Sequence, residues 1–315
     1  MKKGLARFVV VFLTIIASVA VIDLAVGRLM DYMLPKISNQ GDTGKTYFSL
    51  YDVNSPVVIV GSSRAAHHYV TQMIEDSLKI SAYNVGRDGC FFSYNCCVVN
   101  SILDRYKPEL IVWENGTEYL YEGISDPLEL LYPYYSQNIW VNRAVKEELS
   151  WTERVMLNSR CYQYNSSIHK ILLRFLGRHS FADETVKGYL PIKPKDINGT
   201  LVLEPEDYNV SHLSDSKVER FRAILERASQ KGVKIIIVDS PKYRKRDYEN
   251  LSKEKMCEIC GLYDALFLDN SQSSYFWDHT ELFNDATHLN DNGAKMYTEM
   301  FLGQILDFFL VHDNF

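Results

Sequence analysis

Short runs of β-branched and apolar residues, each next to a segment that favours helix, restrict the fold of this chain more than any other feature. The runs cover residues 56–61, 81–86, 108–115, 233–241 and 265–270. The helical segments cover residues 64–79, 92–105, 214–232, 247–262 and 291–309. Continuous apolar strands separated by helices are typical of a parallel sheet that is buried on both faces. The pattern therefore predicts an α/β protein of three layers, in which a parallel sheet lies between helices.

The alternation stops in the middle of the chain. Residues 120–213 contain aromatic, helical and loop-like pieces, which predict an insertion or cap within a domain that covers residues 50–315. With 315 residues, 46% of them hydrophobic, the chain is long enough to bury one large core. The 21 tyrosines suit either a carbohydrate-binding surface or ordinary packing with a hydroxyl at the edge of the core.

The N-terminus predicts a membrane segment. Three basic residues precede a mostly apolar stretch, residues 8–27, which as a helix would span about 30 Å. Asp23 lies near the far end of this stretch, where its carboxylate reaches the interface. The small residues at 18–20 also suit a signal-peptide cleavage site, but apolar residues continue past it, which favours an uncleaved anchor within residues 1–35. In either case the positive-inside rule places the rest of the chain outside the cytoplasm.

Composition and cysteine spacing argue against two other classes of function. The formal net charge is -6 and the basic residues are scattered, so the sequence has no basic stripe of the kind that binds nucleic acid. Cys257 and Cys260 form a C-x-x-C pair, but no second pair and no histidines at zinc spacing accompany it. We therefore expect no nucleic-acid partner, no metal site and no cofactor.

A serine at the end of the first strand is the candidate nucleophile. The strand runs into Gly61-Ser62-Ser63, and ligands of parallel sheets bind at the carboxyl ends of the strands. Ser63 is either a nucleophile or a plain helix cap. A nucleophilic serine needs a base and an orienting carboxylate, and Asp285 and His288 are spaced to supply both just before the last helix.

The same edge of the sheet offers donors for an oxyanion hole. The candidates are the backbone N–H of Ser63, the backbone N–H of Gly89 and the side-chain amide of Asn115. Gly86 is the alternative to Gly89, because either glycine suits a close backbone approach.

Four residues near these candidates have more ordinary interpretations. His67 and His68 lie inside the helix that follows Ser63 and are expected to be structural or to line the substrate site. Arg64 is expected to face solvent from the first helical turn, although it could also contact an anionic substrate. Asp239 ends the fourth strand and is expected either to line the pocket or to cap a helix.

These residues resemble the four blocks of the SGNH, or GDSL-like, hydrolases. The matching residues, in the order of that family, are Gly61-Ser62-Ser63, then Gly89, then Asn115, and finally Asp285 with His288. The resemblance implies that Ser63 is the nucleophile, that His288 is the general base, and that Asp285 orients His288. It covers about residues 55–118 and 214–310.

Two departures from the family pattern restrict the resemblance to one branch of the family. Ser62 stands where the family has aspartate, and the third block reads Trp113-Glu114-Asn115-Gly116. A G-S-S turn behind a membrane anchor is similar to the branch with DltD-like and alginate-acetylation proteins, which act on cell-surface polymers. The resemblance implies an esterase or O-acyltransferase that acts on acyl esters, with acetyl as the expected group, of a surface glycan. The alternative is a tethered, non-catalytic protein of the same fold that binds glycan or joins polysaccharide-assembly proteins.

Overall fold

The computed structural model describes residues 2–124, 126–178, 185–195, 201–206 and 212–312. The chain forms two compact units. The helical unit comprises Met1–Phe48 and Leu128–Ser180, and the sheet unit comprises Ser49–Pro127 and Phe181–Phe315. The described parts of the predicted insertion, residues 120–213, are divided between the two units, and its role as an insertion or cap stays a prediction.

The strands and helices alternate along the sheet unit. The strands are β1 (Val57–Val60), β2 (Ala82–Asn84), β3 (Leu110–Glu114), β4 (Glu204–Pro205), β5 (Lys234–Asp239), β6 (Arg244–Lys245) and β7 (Leu266–Asp269). The α-helices are α1 (Lys2–Met33), α2 (Gly41–Tyr47), α3 (Ser63–His68), α4 (Thr71–Leu78), α5 (Phe92–Arg105), α6 (Ile139–Glu148), α7 (Trp151–Met156), α8 (Arg160–Tyr164), α9 (Ile168–Phe175), α10 (Asp215–Lys231), α11 (Leu251–Leu262), α12 (Ser274–Trp277) and α13 (Asp291–His312). Single 3₁₀ turns cover Leu34–Ile37, Leu128–Leu130, Tyr132–Tyr134 and Thr280–Leu282, and a π turn covers Phe48–Asp52.

Five of these strands form one parallel sheet in the order β2-β1-β3-β5-β7. The central strands β1 and β3 are buried along their whole length, because their apolar runs need cover on both faces. The α/β class and the parallel sheet predicted from the sequence are confirmed. The short strands β4 and β6 pair separately, also in parallel.

One predicted helix is two helices in the structure. The stretch over 64–79 forms α3 and α4, which are interrupted at Tyr69 and Val70. Both residues have extended backbone angles. The interruption matters for the site because α3 carries Ser63 at its start and two histidines at its end.

The helical unit contains α1, α2 and α6 to α9. Its first helix, with the turn that follows, covers residues 3–37 and is long and apolar enough to cross a membrane, because an 18-residue stretch of it has a mean hydropathy of 2.8. The predicted apolar N-terminal helix is therefore present in the structure.

Candidate active site

Ser63 lies at the carboxyl edge of the sheet because the chain turns sharply after β1. Gly61 has a φ of +156°, and a Cβ at this position would lie 2.7 Å from the Cβ atoms of Ala65 and Glu114. Only glycine fits there. Ser62 takes the N-cap position of α3 without a side-chain cap bond, and Ser63 is the first helical residue. Ser63 is therefore not the helix cap, and its hydroxyl makes a different contact.

Ser63, His288 and Asp285 form a hydrogen-bonded chain. Nε2 of His288 lies 2.7 Å from Oγ of Ser63, and Nδ1 of His288 lies 2.9 and 3.0 Å from the two carboxylate oxygens of Asp285. A carboxylate only accepts hydrogen bonds, so we assign the proton to Nδ1 and leave Nε2 to accept from the Ser63 hydroxyl. This is the arrangement that a nucleophile, a base and its orienting carboxylate require.

The loop before α13 keeps Asp285 ionised. The backbone N–H groups of Thr287 and His288 donate to its Oδ1 at 2.9 and 3.0 Å, and Nδ2 of Asn284 donates to its Oδ2 at 2.9 Å. Partial burial raises the pKa of Asp285, but the hydrogen bonds from His288 and Thr287 outweigh it and hold the pKa well below its ordinary range. Asp285 therefore carries the negative charge that stabilises a protonated His288.

A second histidine, His68, ties the loop that carries His288 to the sheet. The N–H of Leu289 donates to Nε2 of His68 at 3.0 Å, so Nε2 carries no proton, and Nδ1 of His68 donates to Oγ of Ser240 at 2.8 Å. Complete burial, with a smaller contribution from His288, lowers the pKa of His68 well below 6.5 and keeps its ring neutral. No local pattern shows this role, because the partners lie 172 and 221 residues away in the chain.

His67 lies beside the Ser63–His288 pair without taking part in it. Its ring packs edge-on against His288, with the ring centroids 5.8 Å apart. Nδ1 of His67 donates to the carbonyl of Leu190 at 2.6 Å, and Nε2 lies 3.2 Å from Oδ1 of Asp88. Because its ring nitrogens contact Leu190 and Asp88 and not Ser63, His67 is not placed to act as the base for Ser63, and the predicted structural or lining role fits this geometry.

Two backbone N–H groups remain available as donors. Ser63 opens α3, so its N–H has no intrahelical acceptor. Gly89 is exposed with a φ of +69°, and no hydrogen bond found among the described residues uses its N–H. The N–H of Gly86, in contrast, donates to Oδ1 of Asn84 at 2.9 Å. A Cβ at Gly86 would lie 2.5 Å from the backbone nitrogen of Ala66, so Gly86 is a glycine for close packing.

The side chain of Asn115 takes a different contact from the predicted one. It is fully buried, and its Nδ2 lies 3.5 Å from Sδ of Met256 on α11, in donor geometry. Its Oδ1 has no hydrogen-bond partner among the described residues. Successive side chains of an extended segment point to opposite faces, so Glu114 meets α3 while Asn115 meets α11. The oxyanion role predicted for Asn115 therefore does not fit this geometry.

Arg64, which was expected to face solvent, is buried, with 5% of its surface exposed. Its guanidinium pairs with Asp239 and lies 3.2 Å from Oε1 of Glu114, and it donates to the carbonyl of Ser240 at 3.1 Å. Burial alone would lower the pKa of Arg64, but Asp239 and Glu114 outweigh it and raise the pKa. The prediction of a solvent-facing Arg64 is wrong, because carboxylates from the ends of β3 and β5 meet it.

These pairs continue into a larger cluster that we call the ionic network. Its members are Arg64, Glu114, Glu118, Glu206, Asp239, Lys242, Arg246 and Asp269. Nζ of Lys242 lies 2.8 Å from Glu206 and 3.5 Å from Asp239. Arg246 lies 3.3 Å from Glu206 and 3.0 Å from Asp269. Buried charges persist only when they are paired, so the network holds the ends of three neighbouring strands together. Asp239 is thus part of this network and is not a helix cap.

The described part of the chain offers no metal centre. No group of three or more His, Cys, Asp or Glu side chains in these ranges has the arrangement to hold a metal ion. Cys257 and Cys260 are both free on α11. Burial raises the pKa of Cys260, which keeps that thiol protonated and unreactive.

Comparison with known proteins gives no family for this chain. No protein-family model matches it, and no curated protein is significantly similar to it. The case for a function therefore rests on the Ser63–His288–Asp285 geometry.

Proposed function

We propose that this protein is a serine esterase or O-acyltransferase of the SGNH type, with its α/β unit arranged as three layers and held outside the cytoplasm by α1. Its substrates are ester-linked acyl groups, acetyl above all, on a cell-surface glycan. The observation that carries the proposal is the 2.7 Å distance from Oγ of Ser63 to Nε2 of His288, with Asp285 on the opposite ring nitrogen.

In the first half-reaction, Oγ of Ser63 attacks the carbonyl carbon of the ester while its proton passes to Nε2 of His288. Asp285 stabilises the imidazolium that forms. The N–H groups of Ser63 and Gly89 donate to the negative oxygen of the tetrahedral intermediate. When the ester C–O bond breaks, His288 returns the proton to the leaving alcohol, and the acyl group stays on Ser63.

In the second half-reaction, an incoming hydroxyl takes the acyl group from Ser63. The hydroxyl belongs to water in an esterase and to a sugar in a transferase. It attacks the acyl carbonyl and gives its proton to His288, which passes that proton to Oγ of Ser63 as the acyl–serine bond breaks. Both reactions therefore share the same acyl-enzyme.

The glycan substrate is supported by the expected placement of the sheet unit. Basic residues precede the apolar part of α1, and the positive-inside rule puts the chain after this helix outside the cytoplasm. Esters on surface polymers are substrates that an anchored enzyme meets there. The resemblance to DltD-like and alginate-acetylation proteins points to the same class of substrate.

The test follows release of p-nitrophenol from its acetate ester in the pre-steady state, with wild type, Ser63→Ala and Ser62→Ala. Ser62 is the matched control because it neighbours the nucleophile and its side chain makes no cap bond. We expect a burst in wild type and Ser62→Ala and no burst in Ser63→Ala. A burst followed by very slow turnover indicates a transferase without its acceptor. Equal inertness of all three proteins refutes the enzymatic proposal.

The second candidate is a tethered, non-catalytic protein that binds glycan or joins a polysaccharide-assembly complex. The contact of Asn115 with Met256 favours it, because the side-chain donor of the oxyanion hole is then missing. Glycan binding that is unchanged in Ser63→Ala, together with the absence of a burst in wild type, is the result that this candidate predicts.

A further inference from the structure

The fully exposed part of α1 ends at Asp23. Every described side chain from position 3 to position 22 is exposed. Beyond Asp23 one side of the helix is buried, where Gly27 and Met30 pack within the helical unit. The uncharged exposed part over residues 8–22 is about 22 Å long, which is most of the hydrocarbon thickness of a bilayer.

Asp23 fixes the start of α8 at this level of α1. Its carboxylate accepts hydrogen bonds from Oγ of Ser159 at 2.6 Å and from the N–H groups of Arg160 and Cys161 at 2.8 Å each. A Cβ at Gly27 would lie 2.5 Å from Cβ of Arg160, so α8 packs directly on α1. The start of α8 therefore lies where the exposed apolar part of α1 ends.

The helix before α8, α7, presents an uncharged face. Trp151, Val155 and Met156 are 70%, 46% and 48% exposed. Helical spacing places them with the exposed Thr152 on one side of α7. The N–H of Ser159 donates to the carbonyl of Met156 at 3.0 Å. This end of α7 is therefore within one turn of the residues that bind α1.

The charged residues of α7 have other partners. The carboxylate of Glu153 accepts from the N–H of Ser150 at 3.0 Å, and the N–H of Glu153 donates to Oγ of Ser150 at 3.4 Å, which together form a capping box. NH1 of Arg154 donates to the carbonyl of Lys146 at 3.3 Å. No charge therefore interrupts the exposed face of α7.

We propose that Trp151, Val155 and Met156 insert into the interfacial region of the bilayer that α1 crosses. The proposal rests on the membrane anchor of the proposed function. Lipid is the occupant because α7 ends within three residues of Ser159, which binds Asp23 where the exposed apolar surface of α1 ends, and because tryptophan favours the membrane–water interface. A transmembrane helix alone is free to rotate and tilt, whereas a second contact at the interface fixes the orientation of the helical unit.

The test uses the full chain in phosphatidylcholine nanodiscs whose acyl chains carry bromine close to the headgroup, where bromine quenches tryptophan fluorescence on contact. Wild type is compared with Trp151→Phe and with Trp140→Phe, which removes a tryptophan from the preceding helix. We expect lipid quenching in wild type and Trp140→Phe, and loss of most of that quenching in Trp151→Phe. Bromine at the acyl-chain ends is expected to quench Trp151 less.

Four results separate the parts of the proposal. Equal quenching in wild type and Trp151→Phe overturns it, as does quenching of Trp151 by aqueous acrylamide to the same extent as a free indole. A Trp151 that is shielded from acrylamide but not quenched by lipid also overturns it, because the occupant is then protein. Failure of the chain to enter nanodiscs refutes the anchor itself, and the p-nitrophenol burst reports on the esterase independently of both.

Discussion

Replacement of His68 by alanine tests whether a buried side chain outside the proposed triad holds the catalytic base in place. His68 accepts from the N–H of Leu289 and donates to Oγ of Ser240, both across the sheet unit. Leu289 directly follows His288 in the chain, so the hydrogen bond to His68 fixes the backbone from which the base projects. We therefore expect His68→Ala to affect both stability and the rate of acylation.

The loss of stability in His68→Ala can be estimated from the two polar groups that lose their hydrogen-bond partner. Leu289 and Ser240 are fully buried, and each unpaired polar group costs about 1.5 kcal/mol. The cavity left by the buried imidazole adds roughly 1 kcal/mol or more. We expect His68→Ala to lose about 4 kcal/mol of the free energy of unfolding. A displacement of the base by about 1 Å lowers the rate on the order of 100-fold, so the acylation rate constant falls while KM changes little.

The measurements are urea unfolding of the full chain in detergent and the burst rate with p-nitrophenyl acetate. His68→Gln is the conservative variant, because its side-chain oxygen is able to accept from the N–H of Leu289. We expect His68→Gln to recover a large part of the acylation rate and to fold where His68→Ala does not. A folded His68→Ala that acylates at the wild-type rate refutes the positioning role, and so does a His68→Gln variant that is as slow as His68→Ala.

Three further predictions concern the same edge of the sheet. Gly61→Ala places a Cβ 2.7 Å from that of Glu114, so we expect a loss of about 3 kcal/mol or more in urea unfolding, and a stable variant contradicts this. Arg64→Met removes the cation beside the buried Glu114 and one of the cations beside Asp239, so we expect a loss of about 3–5 kcal/mol, and an unchanged unfolding midpoint shows that these ion pairs are dispensable. The folded state keeps His68 neutral while the unfolded chain binds a proton below pH 6.5, so stability falls as pH falls below that value. The loss between about pH 7.5 and pH 5.5 is roughly 1.4 kcal/mol, and His68→Gln should lack this component when unfolding is measured at both pH values.

The strands of the main sheet and the long helices beside them were predictable from the sequence because their signals are local. Runs of apolar residues identified all five strands of the main sheet, and the predicted helix over 92–105 coincides with α5. The interruption between α3 and α4 was not predictable. The N–H of Val70 donates to Oγ1 of Thr298 at 2.9 Å, and Nδ2 of Asn84 donates to the carbonyl of Ala65 at 2.7 Å. These polar contacts come from elsewhere in the fold and act on backbone that local propensity assigns to one helix.

The residues of the candidate site also fall into those with a local sequence signal and those that depend on tertiary contacts. The spacing of Asp285 and His288 is a local signal, and the position of Ser63 after an apolar strand is another. The orientation of Asn115 depends on which side of the sheet the last residues of β3 face, which the sequence does not show. The burial of Arg64 depends on carboxylates brought together by the sheet. Sequence reasoning therefore reached the residues that share a loop or a turn and missed those that depend on tertiary contacts.

Ser240 links the two halves of the proposed site. Its carbonyl accepts from Arg64, the residue after the nucleophile, at 3.1 Å, and its hydroxyl accepts from His68, which holds the loop of the base, at 2.8 Å. Its N–H donates to Oε1 of Glu114 at 3.2 Å, which connects it to the ionic network. The nucleophile and the base are 225 residues apart in the chain. Ser240, a buried residue directly after β5, binds the residues that position both of them. The short distance between Ser63 and His288 therefore depends on the packing at this edge of the sheet. The buried ionic network stabilises that packing, which gives it a role beside two partly exposed catalytic groups.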